Sequence, residues 1–198
     1  MNSTHDAQMT RDFTANFFFW QGLRFVPMGI AGLVISWAWS PYWLFPGARD
    51  YALLVLLPAL LLSYLIGLYY RGAYGDVRTR PGLYAKRSAL KWFIVYPAIA
   101  AALVVDGVLA LPVLVSPFVF AVAIVDYWRS TGRGRLHHLA GAAALAAIGV
   151  ASALGLLPMG RDSFAIIFGT LGLLYTIGGV LDHLEMRQRL HRLPTEDT

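Results

Sequence analysis

The sequence predicts an all-α fold: a polytopic membrane helix bundle of six transmembrane helices, arranged as three hairpins with both termini cytoplasmic. Three observations predict it. Apolar residues make up 58% of the 198-residue chain and charged residues only 14%, with a mean hydropathy of +0.58. A soluble domain with that balance would expose large apolar patches. The apolar residues fall into blocks of about twenty, the length a hydrocarbon core of about 30 Å demands of a helix rising 1.5 Å per residue. Finally, the basic residues sit almost wholly in alternate connections between those blocks.

The spans lie near 20–40, 51–70, 88–105, 108–128, 138–157 and 163–183 of a single integral membrane domain covering 1–198, with 1–12 and 194–198 as flexible tails. The first block is preceded by Phe13, Phe17, Trp20 and Arg24 at helical spacing, after Thr10 as a capping residue. That stretch reads either as a helix lying on the inner interface before Pro27, or as the start of one long tilted span. Asp6, Arg11 and Asp12, without a small-residue cleavage site, argue against a cleavable signal. The second block, Tyr51 to Tyr70, has no charge and is bracketed by interface-seeking tyrosines.

The stretch from Trp92 to Trp128 carries Asp106 near its middle. As one helix it would extend about 55 Å, so the Asp106-Gly107 pair is expected to turn the chain between spans three and four. The fifth block, from His138, is rich in Ala and Gly, which lets helix backbones approach. The sixth carries Gly169, Gly172, Gly178 and Gly179, and the two are expected to form a tight hairpin.

Charge placement tests this topology. Fourteen of the sixteen basic residues fall on the cytoplasmic side: Arg11 and Arg24; Arg71, Arg78, Arg80, Lys86, Arg87 and Lys91; Arg129, Arg133 and Arg135; Arg187, Arg189 and Arg192. Arg49 and Arg161 fall outside. Such asymmetry is the positive-inside rule, and it accounts for the net charge of +5 without nucleic acid. The expected location is therefore a plasma membrane of the bacterial inner type, with the lipid bilayer as first partner.

Ionisable groups inside a span are costly and mark function by default. Arg24 either snorkels to the inner headgroups or joins Asp126, Asp182 and His183 in a polar cluster at the cytoplasmic mouth. His137, His138 and His183, with Asp182, offer donor types suited to a metal, but interfacial histidines are usually plain loop residues and no metal is expected. A haem held between helices needs a histidine within the spans, and none is placed there. No cofactor is expected. Cysteine is absent, which removes disulfides and thiolate sites. No H-E-x-x-H, G-x-S-x-G or phosphate-loop pattern occurs, and Ser36, Ser63, Ser116 and Thr170 have no activating base in the spans. No catalytic residue is named.

Pro27, Pro58, Pro97, Pro112 and Pro117 fall in predicted spans, where an interior proline kinks a helix. Pro112, Ser116 and Pro117 make the fourth span the candidate cavity-lining helix. The functional expectation is a transport-associated membrane subunit, or a component handling a lipid or small hydrophobic molecule, that works with separate partners. Residues 71–91 or 182–193 would contact a protein partner. The alternatives are a sensory or interaction protein signalling through its C-terminal helix, and a lipid-modifying membrane enzyme acting at the polar cluster. Substrate, partner and oligomeric state are not written in the sequence.

Overall fold

A computed structural model describes residues 21–40, 46–74, 83–109, 113–131, 136–157 and 161–190. Among them the chain is all-helical: α1 Val26–Trp39, α2 Leu56–Tyr74, α3 Leu83–Val108, α4 Ser116–Thr131, α5 Leu136–Ala153 and α6 Arg161–Leu190. A 3₁₀ turn, Gly22–Arg24, precedes α1, and a longer 3₁₀ segment, Pro46–Val55, leads into α2. Four stretches are long and apolar enough to cross a membrane: Gly22–Trp39, Tyr51–Tyr74, Leu136–Ala153 and Asp162–Leu190. Phe93–Val108 is a shorter apolar helix, and α4 has 16 residues. Both proposed tails, the segment holding Phe13, Phe17 and Trp20, and Pro112 lie outside the described residues.

The helices pack in the order α2, α1, α6, α5, α4, α3. Helices consecutive in sequence are therefore neighbours within each expected hairpin, α1 with α2, α3 with α4 and α5 with α6, while α1 with α6 and α4 with α5 join the hairpins. The closest of these seams is α1 on α6. It is antiparallel, and glycine faces glycine along it. A methyl on Gly22 would run into the Gly179 carbonyl oxygen, and one on Gly172 would stand 2.7 Å from the Leu33 backbone nitrogen and 2.8 Å from the Gly29 carbonyl oxygen. Gly22 lies opposite Gly179 and Gly29 opposite Gly172, seven residues apart on each side. With small residues in register the backbones touch, and packing supplies the attraction that hydrophobicity does not supply within lipid.

Above this seam, Ile35 and Ala38 of α1 are buried with Ala52, against Trp39, Leu56 and Phe168. Trp39 meets Phe164 and Phe168 edge-on, with ring centroids 5.8 and 5.6 Å apart. A second cluster joins α4, α5 and α6 through Ala121, Ala142, Leu145, Ile167 and Leu171. Here Gly149 makes room for Phe118, whose ring would stand 2.5 Å from an added methyl.

The Asp106-Gly107 pair does not turn the chain. Helix α3 runs through it to Val108, and the connection to α4 follows. Asp106 instead caps the next helix: Oδ1 accepts from the Val115 amide at 2.7 Å and Oδ2 from the Ser116 amide at 2.8 Å. This satisfies amide donors that a helix start leaves orphaned. The Leu114 amide beside them donates to Ser152 Oγ of α5 at 3.1 Å. At the end of α5, Gly155 takes φ +70° while its amide donates to Ser152 and that of Leu156 to Ala151, the double bond of a glycine-terminated helix.

The prolines are also placed differently from the kinks expected of them. Pro58, third in α2, follows the 3₁₀ segment without a break, but Pro27 and Pro117 stand second in α1 and α4. A helix start has no amide bond for proline to break. Pro97 does lie inside α3. Ser116 and Pro117 are fully buried at the head of α4.

Candidate functional site

One end of the bundle gathers polar side chains from the start of α1, the ends of α2, α4 and α6, and the start of α5. Its centre is Asp182, whose side chain is 3% exposed. Asp182 lies on the α6 surface that meets the 3₁₀ turn before α1, where a methyl on Gly22 would stand 2.7 Å from its Cβ. A carboxylate that deep in an apolar bundle requires partners. Two come from the first turn of α5. His137 Nε2 is 3.1 Å from Asp182 Oδ1, and His138 Nε2 is 3.4 Å from Oδ2. Gly178, one turn before Asp182, leaves the space His137 occupies: a methyl there would meet the ring at 3.4 Å.

The two imidazoles differ in surroundings. His137 is a fifth exposed, and its bond to Asp182 has hydrogen-bond geometry. His138 is buried, and its Nε2 has no hydrogen-bond partner although it faces the carboxylate. The rings lie 4.2 Å apart, centroid to centroid, and Tyr127 of α4 meets His138 edge-on at 5.1 Å. Successive helical residues point about 100° apart, so His183 turns away from this group toward α2. Its Nδ1 shares a hydrogen bond of 2.7 Å with the hydroxyl of Tyr70, which is fully buried. Tyr70 packs with Met186, Leu23, Ile66, Tyr74 and Leu190. The last turns of α2 and α6 are thereby held together.

Arg24 is at the same end but serves a different contact. Nη1 donates to Gln21 Oε1 at 3.1 Å, and the guanidinium lies on Gly67 of α2, where an added methyl would stand 3.0 Å from Nε. Asp126 is half-buried on α4, beside Tyr127. Of the residues singled out from the sequence, Asp182 and His183 hold the middle of this layer, one facing α5 and the other α2. The opposite end of the bundle holds Ser116 and Pro117. The residues the sequence reading passed over are Tyr127 and Tyr70, the latter read there as an interface aromatic. The interfacial spelling Tyr69-Tyr70-Arg71 gives no sign that one tyrosine of the pair is buried.

Chemically the layer offers one carboxylate, two imidazoles aimed at it and a separate tyrosine–histidine pair. These groups can accept and donate protons or ligate a cation. Comparison with protein-family models, with curated proteins and with solved structures finds no match to this chain.

Proposed function

We propose that the chain is an integral membrane protein of six spans with both termini cytoplasmic, serving a transport assembly as a ligand-handling membrane subunit beside separately encoded partners. The observation that carries the functional reading is the buried polar layer around Asp182, where a carboxylate and two imidazoles from different helices face one another. Titratable groups are costly at that depth and are kept where a ligand, ion or proton is handled. Support for six spans comes from the pairwise packing of α1 with α2, α3 with α4 and α5 with α6, and from basic residues at the end where Asp182 lies. Arg24, Arg71, Arg129 and Arg187 all belong to helix termini meeting there, which is the charge pattern of a cytoplasmic face.

The outer helices offer surface for lipid or a partner subunit. α2 turns Leu57, Leu60, Leu61 and Tyr64 outward, and α3 does the same with Phe93, Ile94 and Tyr96. Kinked spans lend the transport reading less support than expected, because Pro27 and Pro117 stand in first helical turns. The competing reading, signalling through the C-terminal helix, draws on the length of α6. Its 30 residues extend about 45 Å, beyond one hydrocarbon core. The extension is not a free arm, however, since Met186 and Leu190 pack against the end of α2.

The functional test is affinity purification of the full chain from its native membrane in mild detergent, with mass spectrometry of co-purifying proteins and lipids. A stoichiometric transporter or ATPase partner, retained by the wild type, is the expected result. A protein that purifies alone and whose loss leaves every uptake and efflux rate of its host unchanged overturns the reading. Topology is open to single-cysteine labelling, because the chain has no native cysteine. Gly75→Cys is expected to label only from the cytoplasm, and Gly47→Cys and Gly160→Cys only from outside; any reversal removes the six-span arrangement.

A further inference from the structure

The geometry at the start of α5 points to a binding site for a divalent transition cation of the zinc class, formed by His137 Nε2, His138 Nε2 and the Asp182 carboxylate. It goes beyond the proposed transport role and stands without it. The donor atoms of the three residues all lie within 4.8 Å of one another. The two nitrogen–oxygen separations, 3.1 and 3.4 Å, bracket the distance of about 3.3 Å between neighbouring ligand atoms around a tetrahedral ion held at about 2.0–2.1 Å. Small rotations of the side chains would suffice to admit the ion.

Three further features favour a cation over a purely hydrogen-bonded triad. The buried His138 Nε2 makes no hydrogen bond although it faces Asp182 Oδ2, and an orphaned buried polar atom is otherwise costly. A metal would use its lone pair. The donor set carries one negative charge, so a divalent ion offsets a carboxylate that apolar surroundings disfavour. The mixture of imidazole and carboxylate also suits zinc-like ions better than calcium or magnesium, which take all-oxygen ligands. Access is from the side of His137, which retains exposure, and three protein ligands leave a fourth position for water or a transported group. His183 is not a ligand here, because its Nδ1 is committed to Tyr70. Each ligating nitrogen must present its lone pair to the metal, with the ring proton on Nδ1.

The test uses the full chain in detergent micelles, free of any histidine tag and stripped with EDTA, titrated with Zn²⁺ against a chromophoric chelator. Wild type is expected to bind one equivalent with a dissociation constant of about 1 µM or tighter. Asp182→Asn and His138→Gln are each expected to weaken binding by more than about 100-fold, beyond the cost of losing a supporting contact, whereas Glu185→Gln, which alters the exposed pair with Arg189, leaves it unchanged. X-ray absorption on zinc-loaded wild type reads the ligands without relying on any variant, and two imidazoles with oxygen are expected. No saturable zinc binding by wild type, a spectrum lacking imidazole, or equal affinity in folded Asp182→Asn each overturns the site.

Discussion

The glycines of the α1–α6 seam and Gly72 near the end of α2 are the same residue in opposite surroundings. At Gly172 an added methyl meets backbone of the facing helix on two sides, at 2.7 and 2.8 Å. At Gly72 it meets nothing within 4 Å among the described residues. The difference separates two kinds of helix surface. In the seam, the absence of a side chain is itself the packing feature: helix backbones approach until they touch, and neither can withdraw without opening the contact along its length. On the rim, helices turn large side chains outward, and Leu57, Leu60, Leu61, Tyr64 and Tyr69 of α2 are solvated by whatever surrounds the bundle. A helical glycine there contributes only its conformational freedom, which opposes folding.

The strongest way to break this comparison is bulk in the seam. Gly172→Leu and Gly29→Leu are expected to abolish the folded state, since the obstacle is backbone and not a movable side chain; fluorescence-detected size exclusion in detergent would show aggregate in place of a single peak. Gly172→Ala is the graded version, with an expected loss of about 3 kcal/mol, read from reversible unfolding in mixed micelles. A Gly172→Ala protein as stable as wild type would mean that the α1–α6 contact is looser than its register implies.

Helix ends should fall between seam and rim. Asp106→Ala removes the acceptor of two amides at the head of α4 and is expected to cost about 2 kcal/mol in the same unfolding measurement. A change below a few tenths would mean that water replaces the carboxylate there. Tyr70→Phe removes one hydrogen bond to His183 while keeping the ring, with an expected cost of about 1 kcal/mol. A double-mutant cycle with His183→Asn should show the two effects to be coupled, and simple additivity would detach the tyrosine from the histidine.

The sequence made the helical class legible, because apolar blocks and their charged separators are properties of single segments. It also marked Asp182 and His183, since ionisable residues near apolar blocks stand out without any knowledge of neighbours. It could not supply what faces them. Asp182 meets residues 44 and 45 positions earlier, on another helix, and that pairing depends on how α5 packs beside α6. Asp106 shows the same limit in small. Beside Gly107 it has the spelling of a turn, yet its carboxylate reaches nine and ten residues forward to the next helix, and α3 continues past it. The prolines were more readable than the kink expectation allowed: Pro27 and Pro117 fit the known preference of proline for the first helical turn.

Gly72→Ala carries the smallest expected effect and the sharpest contrast, because it makes at the rim the same substitution that destabilises the seam. Among the described residues nothing stands where the methyl would go, and Gly72 lies inside α2, two residues before its end. Alanine restricts the unfolded backbone and favours helix, a gain of up to about 1 kcal/mol in a helix interior. Near a terminus, where fraying already samples open states, about half of that is expected. The predicted outcome is thus a stabilisation of about 0.5 kcal/mol, opposite in sign to Gly172→Ala. A destabilisation would imply that another surface touches this face of α2, and the same variant would then locate a partner subunit where lipid is otherwise sufficient.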